Sequence, residues 1–233
     1  MGRHNTVAGR MAESANARGR LFTKLTREIM VAARSGSDTN TNSALRIAVN
    51  KAKDNSVPKD TIERAIKKGS GELKGSNYEE ITYEGYGPAG SAIMVEVLTD
   101  NRNRSHPEIR QIFLKNGGNI GEMGVVAWMF KKRGVFIFNL TQFSEDKIME
   151  LALEAGADDV VSEDGFVTVY SESSDFSNVR EAFVNANMSF EKAGLELIAD
   201  NYVTLSDDDS KQAAILMDKL EEHDDVQNVY SNF

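Results

Sequence analysis

The chain has 233 residues, 40% of them hydrophobic and 27% charged, which is enough for more than one folded core. It contains no cysteine, and this excludes disulfides, thiolate metal sites and cysteine nucleophiles. No apolar run approaches the roughly 20 residues that span a bilayer, so we expect a cytoplasmic protein with no membrane partner.

Charge is divided unevenly along the chain. Residues 1–74 carry 15 Lys and Arg against 7 Asp and Glu, a net of +8, whereas residues 75–233 carry 12 against 29, a net of −17. The two parts sum to the net charge of −9. Because the acidic part repels phosphates, a polyanion should meet the N-terminal part first. The division predicts a basic module beside acidic ones.

Three amphipathic helices are predicted in the basic part, at residues 21–34, 43–54 and 58–69. In each helix, apolar residues recur at helical spacing on one side and cations lie on the other. Gly69 is placed to cap the third helix, and residues 70–78 are predicted to be a linker. The helices therefore predict a small bundle with a basic outer surface.

The rest of the chain has the patterns of alternating strands and helices. Before residue 135 we predict a hairpin at 81–86 and 91–99, a helix at 107–115, and a buried strand at 125–130 that places Trp128 in the core. Residues 135–198 follow the order βαββαβ of a ferredoxin-like domain. The predicted end of the chain is a strand at 201–205, a helix at 207–222 and a strand at 226–232.

The last three elements are too few for a core of their own. They are expected to complete the sheet that begins at residue 79. The predicted fold class is α+β with three domains. These are a basic helical domain at 1–75, a discontinuous α/β domain at 76–132 plus 200–233, and an inserted ferredoxin-like domain at 133–199.

Motifs for catalysis or cofactor binding are weak. The segment Gly85–Gly90 matches G-x-G-x-x-G, but a dinucleotide site requires a helix after the loop, and the pattern here predicts a strand. The three histidines are scattered, and no nucleophile, base and orienting group occur together. A metal-dependent hydrolase that uses the acidic part therefore has no site to support it. We predict no catalytic residue, no metal and no cofactor.

Two other segments leave alternatives open. Asp100–Arg104 is rich in groups that donate to phosphates and base edges, yet it also fits an ordinary helix start with Asn101 or Asn103 as the cap. The tyrosines at 78, 83 and 86 have side chains that can stack on bases or pack on the sheet.

The candidate nucleic-acid-binding residues are cations of a basic lead-in, of the three helices and of the Asp100–Arg104 segment. They are Arg18, Arg20, Lys24, Arg27, Arg46, Lys53, Lys59, Arg64, Lys67, Lys68, Arg102 and Arg104. The basic lead-in consists of Arg18 and Arg20 together with two earlier arginines, Arg3 and Arg10.

Several long motifs resemble the YebC/PmpR family. They are LFTKLTREI at 21–29, NSVPKDTIERAIKKG at 55–69, YEEITYEGYGP at 78–88, LTDNRNR at 98–104 and KNGGN at 115–119. One departure lies in Arg3–Val7 and the residues after it. There the tryptophan and some of the cations of the family's lead-in are missing.

The resemblance implies three domains and a cytosolic, non-enzymatic regulator. In the family this regulator is described as a DNA-binding transcriptional regulator, or alternatively as a ribosome-associated translation factor that relieves stalling. The expected partners are therefore DNA, or ribosomal or messenger RNA on the ribosome. A protein partner on the acidic α/β domains is a further expectation.

Overall fold

A computed structural model describes residues 15–75 and 77–233. The lead-in arginines Arg3 and Arg10 lie outside the described residues. The first three helices are α1 (Ala15–Ala32), α2 (Ser43–Asp54) and α3 (Lys59–Gly69). Their apolar sides meet in one core, as predicted. The buried side chains include Leu25, Ile29, Leu45, Val49 and Ile62.

The role predicted for Gly69 is wrong. Gly69 is the last residue of α3, and Ser70, in the right-handed helical conformation, is the C-cap. A Cβ on Gly69 would lie 2.2 Å from the Met30 carbonyl oxygen of α1. The glycine is therefore required for the close approach of α3 to α1 and not for a left-handed turn.

Two antiparallel sheets form the rest of the chain. The first has the strand order β3-β1-β2-β8 and packs against two helices. Its elements are β1 (Glu79–Tyr86), β2 (Ala92–Thr99), α4 (Arg102–Lys115), β3 (Asn119–Ile120), α7 (Asp207–Glu221) and β8 (Val226–Ser231). The predicted hairpin is confirmed by the pairing of β1 with β2.

The second sheet has the order β5-β6-β4-β7 with every neighbouring pair antiparallel. Its elements are β4 (Phe130–Asn139), α5 (Glu145–Glu154), β5 (Asp159–Glu163), β6 (Phe166–Glu172), α6 (Phe176–Asn185) and β7 (Lys192–Ala199). The order βαββαβ around two central strands is ferredoxin-like, as predicted.

The α+β class with a helical N-terminal part is thus confirmed. Strand β8 pairs with β2 in the first sheet, although β4 to β7 of the second sheet lie between β3 and β8 in the sequence. On this pairing we propose the division into 1–75, 76–132 with 200–233, and 133–199. None of the described helices is long and apolar enough to cross a bilayer.

Two predicted strands are wrong. Residues 201–205 form no strand. The segment Val125–Phe130 contains a short 3-10 turn at Ala127–Met129, and Trp128 is 70% exposed instead of buried. An apolar run of this length fits a buried strand or a tight turn equally well, because only some of its side chains enter the core.

Candidate nucleic-acid interface

Four of the twelve candidate cations lie on the solvent side of α3. They are Lys59, Arg64, Lys67 and Lys68, and we call them the α3 face. All four are exposed. Lys59 is 3.8 Å from Glu63, whereas none of the other three forms an ion pair with any residue in 15–75 or 77–233. The α3 face therefore presents cations that are available to a ligand.

Three more exposed cations lie on α1 and α2. Lys53, near the end of α2, forms no ion pair among the described residues, and Arg20 is exposed near the start of α1. The Arg18 guanidinium lies 6.0 Å from the centre of the Phe22 ring. These three cations are exposed on the other two helices of the bundle.

Lys24 and Arg27 lie instead in a contact between α1 and the end of α7. The Lys24 Nζ donates to the Glu221 carbonyl oxygen at 2.8 Å. Burial lowers the pKa of this ammonium, and the neighbouring Glu221 carboxylate only partly offsets that effect. The Arg27 side chain is 14% exposed and donates to the Asp224 carbonyl oxygen. These two cations are engaged within the chain.

The carboxylate of Asp225 binds two guanidinium groups and two hydroxyl groups at this contact. It lies 3.2 Å from the Arg27 guanidinium and 2.7 Å from that of Arg104, and it accepts the hydroxyls of Thr99 and Ser105 at 3.1 and 2.7 Å. Only 3% of the side chain is exposed. Burial opposes ionisation, but the hydrogen bonds from Arg104, Ser105 and Thr99 outweigh it, so the pKa of Asp225 is lowered.

The Asp100–Arg104 segment begins α4. The Asn101 side chain accepts the Arg104 backbone N–H at 3.2 Å, which confirms the alternative in which Asn101 is the helix cap. Arg104 is engaged with Asp100 as well as with Asp225. Arg102 is exposed. Arg104 is thus held by two carboxylates although 45% of its side chain is exposed, whereas Arg102 forms no ion pair among the described residues.

The remaining predicted groups mostly have structural contacts. Arg46 is half-buried and donates to the carbonyl oxygens of Thr39 and Asn40 at 3.3 and 3.4 Å. Tyr83 is buried in the first sheet, and the Tyr78 ring lies 5.3 Å from the Arg27 guanidinium. These two tyrosines thus pack within the molecule.

The bundle also contacts the second sheet through α2. Arg180 of α6 pairs with Asp54 at 2.8 Å. Within the bundle, Lys51 pairs with Glu28 at 2.8 Å. The sequence does not show which distant element meets a charged residue, so the pairing of Asp54 with Arg180 and of Asp225 with Arg27 and Arg104 was not predicted.

A cleft of about 390 Å³ opens between the bundle and both sheets. Seven Asp and Glu side chains line it against three Lys. Since the balance is acidic, the cleft does not suit phosphate groups. The cations of the α3 face do not line it.

Comparison with known proteins identifies relatives along almost the whole chain. Residues 2–72 match the sequence profile described as the TACO1/YebC protein N-terminal domain, and residues 78–233 match that of the TACO1/YebC second and third domain. A "probable transcriptional regulatory protein" of Halothermothrix orenii is 50% identical over 231 residues, which cover 97% of this chain and 91% of the relative. A protein of the same name from Treponema denticola is 51% identical over 216 residues, covering 92% and 87%.

A solved structure supports the same relationship. The crystal structure of a conserved hypothetical protein from Aquifex aeolicus superimposes with a TM-score of 0.86 at 40% identity. The match covers 94% of this chain and 91% of that one. The chain therefore belongs to the TACO1/YebC family.

Proposed function

We propose that this protein is a non-enzymatic regulator of gene expression that binds nucleic acid through the α3 face. The observation that carries the proposal is the accessibility of these cations. Arg64, Lys67 and Lys68 are exposed and form no ion pair with the described residues, while Lys24, Arg27 and Arg104 are engaged within the chain. The names of the relatives, probable transcriptional regulatory proteins, agree with it.

The arrangement of charge supports a polyanionic ligand. The four cations of the α3 face belong to the part of the chain with a net charge of +8, and the remainder has a net charge of −17. The net charge attracts phosphates to the first part and repels them from the second, so a nucleic acid should meet the bundle first, and a contact on the second part requires an unpaired local cation. Lys53, Arg18, Arg20 and Arg102 are secondary contacts in this proposal.

Binding measured at graded salt tests the proposal. If about four cations neutralise phosphates, affinity should fall on the order of a hundredfold between 50 and 200 mM salt. Duplex DNA and fragments of ribosomal RNA are the two probes, in gel shifts with the full chain. Absence of binding to either probe at low salt would contradict the proposal.

Alternatively, the protein acts on the ribosome. In that role the same cations would bind ribosomal RNA or messenger RNA instead of duplex DNA. Co-sedimentation with ribosomes distinguishes the two roles. Salt-sensitive ribosome binding together with weak affinity for duplex DNA favours a translation factor, whereas the reverse favours a transcriptional regulator.

A further inference from the structure

The chain's only tryptophan lies on the surface. Trp128 is 70% exposed and Met123, earlier in the same segment, is 95% exposed. Their apolar neighbours Val126 and Phe130 are buried. An indole this exposed keeps a large apolar area in water, and Trp is enriched at interfaces.

The segment around Trp128 is held in a fixed conformation by a buried carboxylate. Glu84 is 6% exposed and accepts the backbone N–H groups of Gly124, Val126 and Ala127 at 2.7, 2.9 and 2.8 Å. Burial opposes its ionisation, but these three hydrogen bonds outweigh it and lower the pKa of Glu84. The indole is thus preorganised, and little conformational entropy is lost when it binds.

The hydrogen-bond donor of the indole is already used. Its Nε1 donates to the Val125 carbonyl oxygen at 3.2 Å. The ring therefore offers mainly its faces to a partner. An aromatic face binds a cation or stacks on another π system.

The charges that follow in the sequence disfavour a cation. Lys131, Lys132 and Arg133 come three to five residues after Trp128, at the start of β4. Lys131 pairs with Asp200 at 3.1 Å and Arg133 with Asp158 at 2.8 Å. Lys132 is exposed and forms no ion pair among the described residues.

A ligand that combines a π face with negative charge satisfies both features. Lys132 is four residues from Trp128, so their Cα atoms are at most about 14 Å apart. We propose that Trp128 is a stacking platform for an unpaired base of single-stranded nucleic acid, with Lys132 as the phosphate contact. This inference rests on the proposed function, because it adds a second contact to the same class of ligand.

Fluorescence of Trp128 reports on this stacking directly. The full chain is titrated with a single-stranded RNA of about 12 nucleotides, within the size range of single-strand sites, and separately with a duplex of the same length. The single strand should quench the emission and the duplex should leave it nearly unchanged. Trp128→Ala should weaken single-strand affinity on the order of tenfold, and Trp128→Phe less.

Two variants serve as controls. Leu153→Ala removes another exposed apolar side chain, 65% exposed on α5, and should leave both affinities unchanged. Replacing Arg64, Lys67 and Lys68 by Ala tests the α3 face, and this change should lower the affinity for both the single strand and the duplex.

The outcomes separate this inference from the proposed function. Equal single-strand affinity of the wild type and Trp128→Ala overturns the stacking platform, and the proposed function stands if the α3 variant still loses affinity. Emission that changes with protein concentration alone, with self-association lost in Trp128→Ala, also overturns it, because the occupant is then a second copy of the chain. If no nucleic acid binds, both proposals fail.

Discussion

At the residue scale, Asp225 connects parts of the chain that are far apart in sequence. Its carboxylate contacts Arg27 of the bundle and Arg104 of α4, and its backbone carbonyl accepts the Leu98 N–H at 2.8 Å. A buried carboxylate is stable only when its partners replace the water it has lost. The partners of Asp225 meet that condition, so the residue joins the bundle to the first sheet.

Replacing Asp225 with Asn should lower the free energy of unfolding by about 2 kcal/mol, because charged hydrogen bonds are exchanged for neutral ones. The pKa of Asp225 is lowered by folding, so its contribution is present above the unfolded pKa of about 3.9 and is lost as the pH falls through the folded value. Chemical denaturation from pH 7 downward measures this. The gap between the variant and the wild type should stay constant to about pH 5 and close only below about pH 4.

The neighbouring Asp224→Asn variant makes the same change of charge at an exposed side chain. It should alter stability by no more than about 0.5 kcal/mol. Equal effects of the two substitutions would mean that Asp225 is not the connecting residue described here.

At the element scale, α3 combines a tightly packed side with the proposed binding face. Its packing depends on Gly69, where a Cβ would collide with the backbone of α1. Replacing Gly69 with Ala should therefore lower stability by about 1–3 kcal/mol, although Ala is the better helix former by about 1 kcal/mol. Thermal unfolding of the variant and the wild type shows whether the substitution lowers or raises stability. A stabilised variant would contradict the close helix contact.

Elements with a complete periodic pattern were predictable from the sequence. α2, α3 and the ferredoxin-like unit carry apolar residues at regular spacing over several turns or strands, and the structure confirms them. The conformation of segment 125–130 was not predictable from the sequence, because it depends on the buried carboxylate of Glu84, 40 residues or more earlier in the chain. Residues 201–205 have the composition of a strand but form no strand in the structure.

The candidate site was predictable only in part, for the same reason. Helical periodicity placed Arg64, Lys67 and Lys68 on the outside of α3, and they are exposed. It also placed Lys24 and Arg27 on an outer side of α1, but that side meets the end of α7. Periodicity separates the buried side of an isolated bundle from the rest, and it contains no information about contacts with another domain.

At the scale of the whole molecule, α1 and α2 attach the bundle to the two sheets and their helices. α1 contacts the end of α7, and α2 contacts α6 and β7. The α3 face is left to the solvent. Some cations of the bundle thus hold the domains together, while those of the α3 face are exposed and are the proposed contacts for a polyanion.

This division predicts different effects for two arginines of α1. Arg27→Ala should lower stability by about 1–3 kcal/mol, because Asp225 loses a charged partner, and should leave the salt dependence of binding unchanged. Arg20→Ala, at an exposed position, should leave stability nearly unchanged and should reduce the salt dependence of binding. Denaturant unfolding and salt titrations on both variants measure these effects. An equal loss of stability in the two would argue against the contact between α1 and α7.

The most direct test of the central claim compares two triple variants with the same loss of charge. One replaces Arg64, Lys67 and Lys68 with Ala, and the other replaces the exposed Lys147, Lys211 and Lys219 of the acidic part. Binding of duplex DNA or ribosomal RNA, whichever the wild type binds, is measured against salt concentration. We predict that the α3 variant lowers the slope of log affinity against log salt by about 2–3 units for duplex DNA, or about 2 for RNA, and that the control stays near the wild-type slope. Equal slopes for the two variants would contradict a nucleic-acid interface on α3.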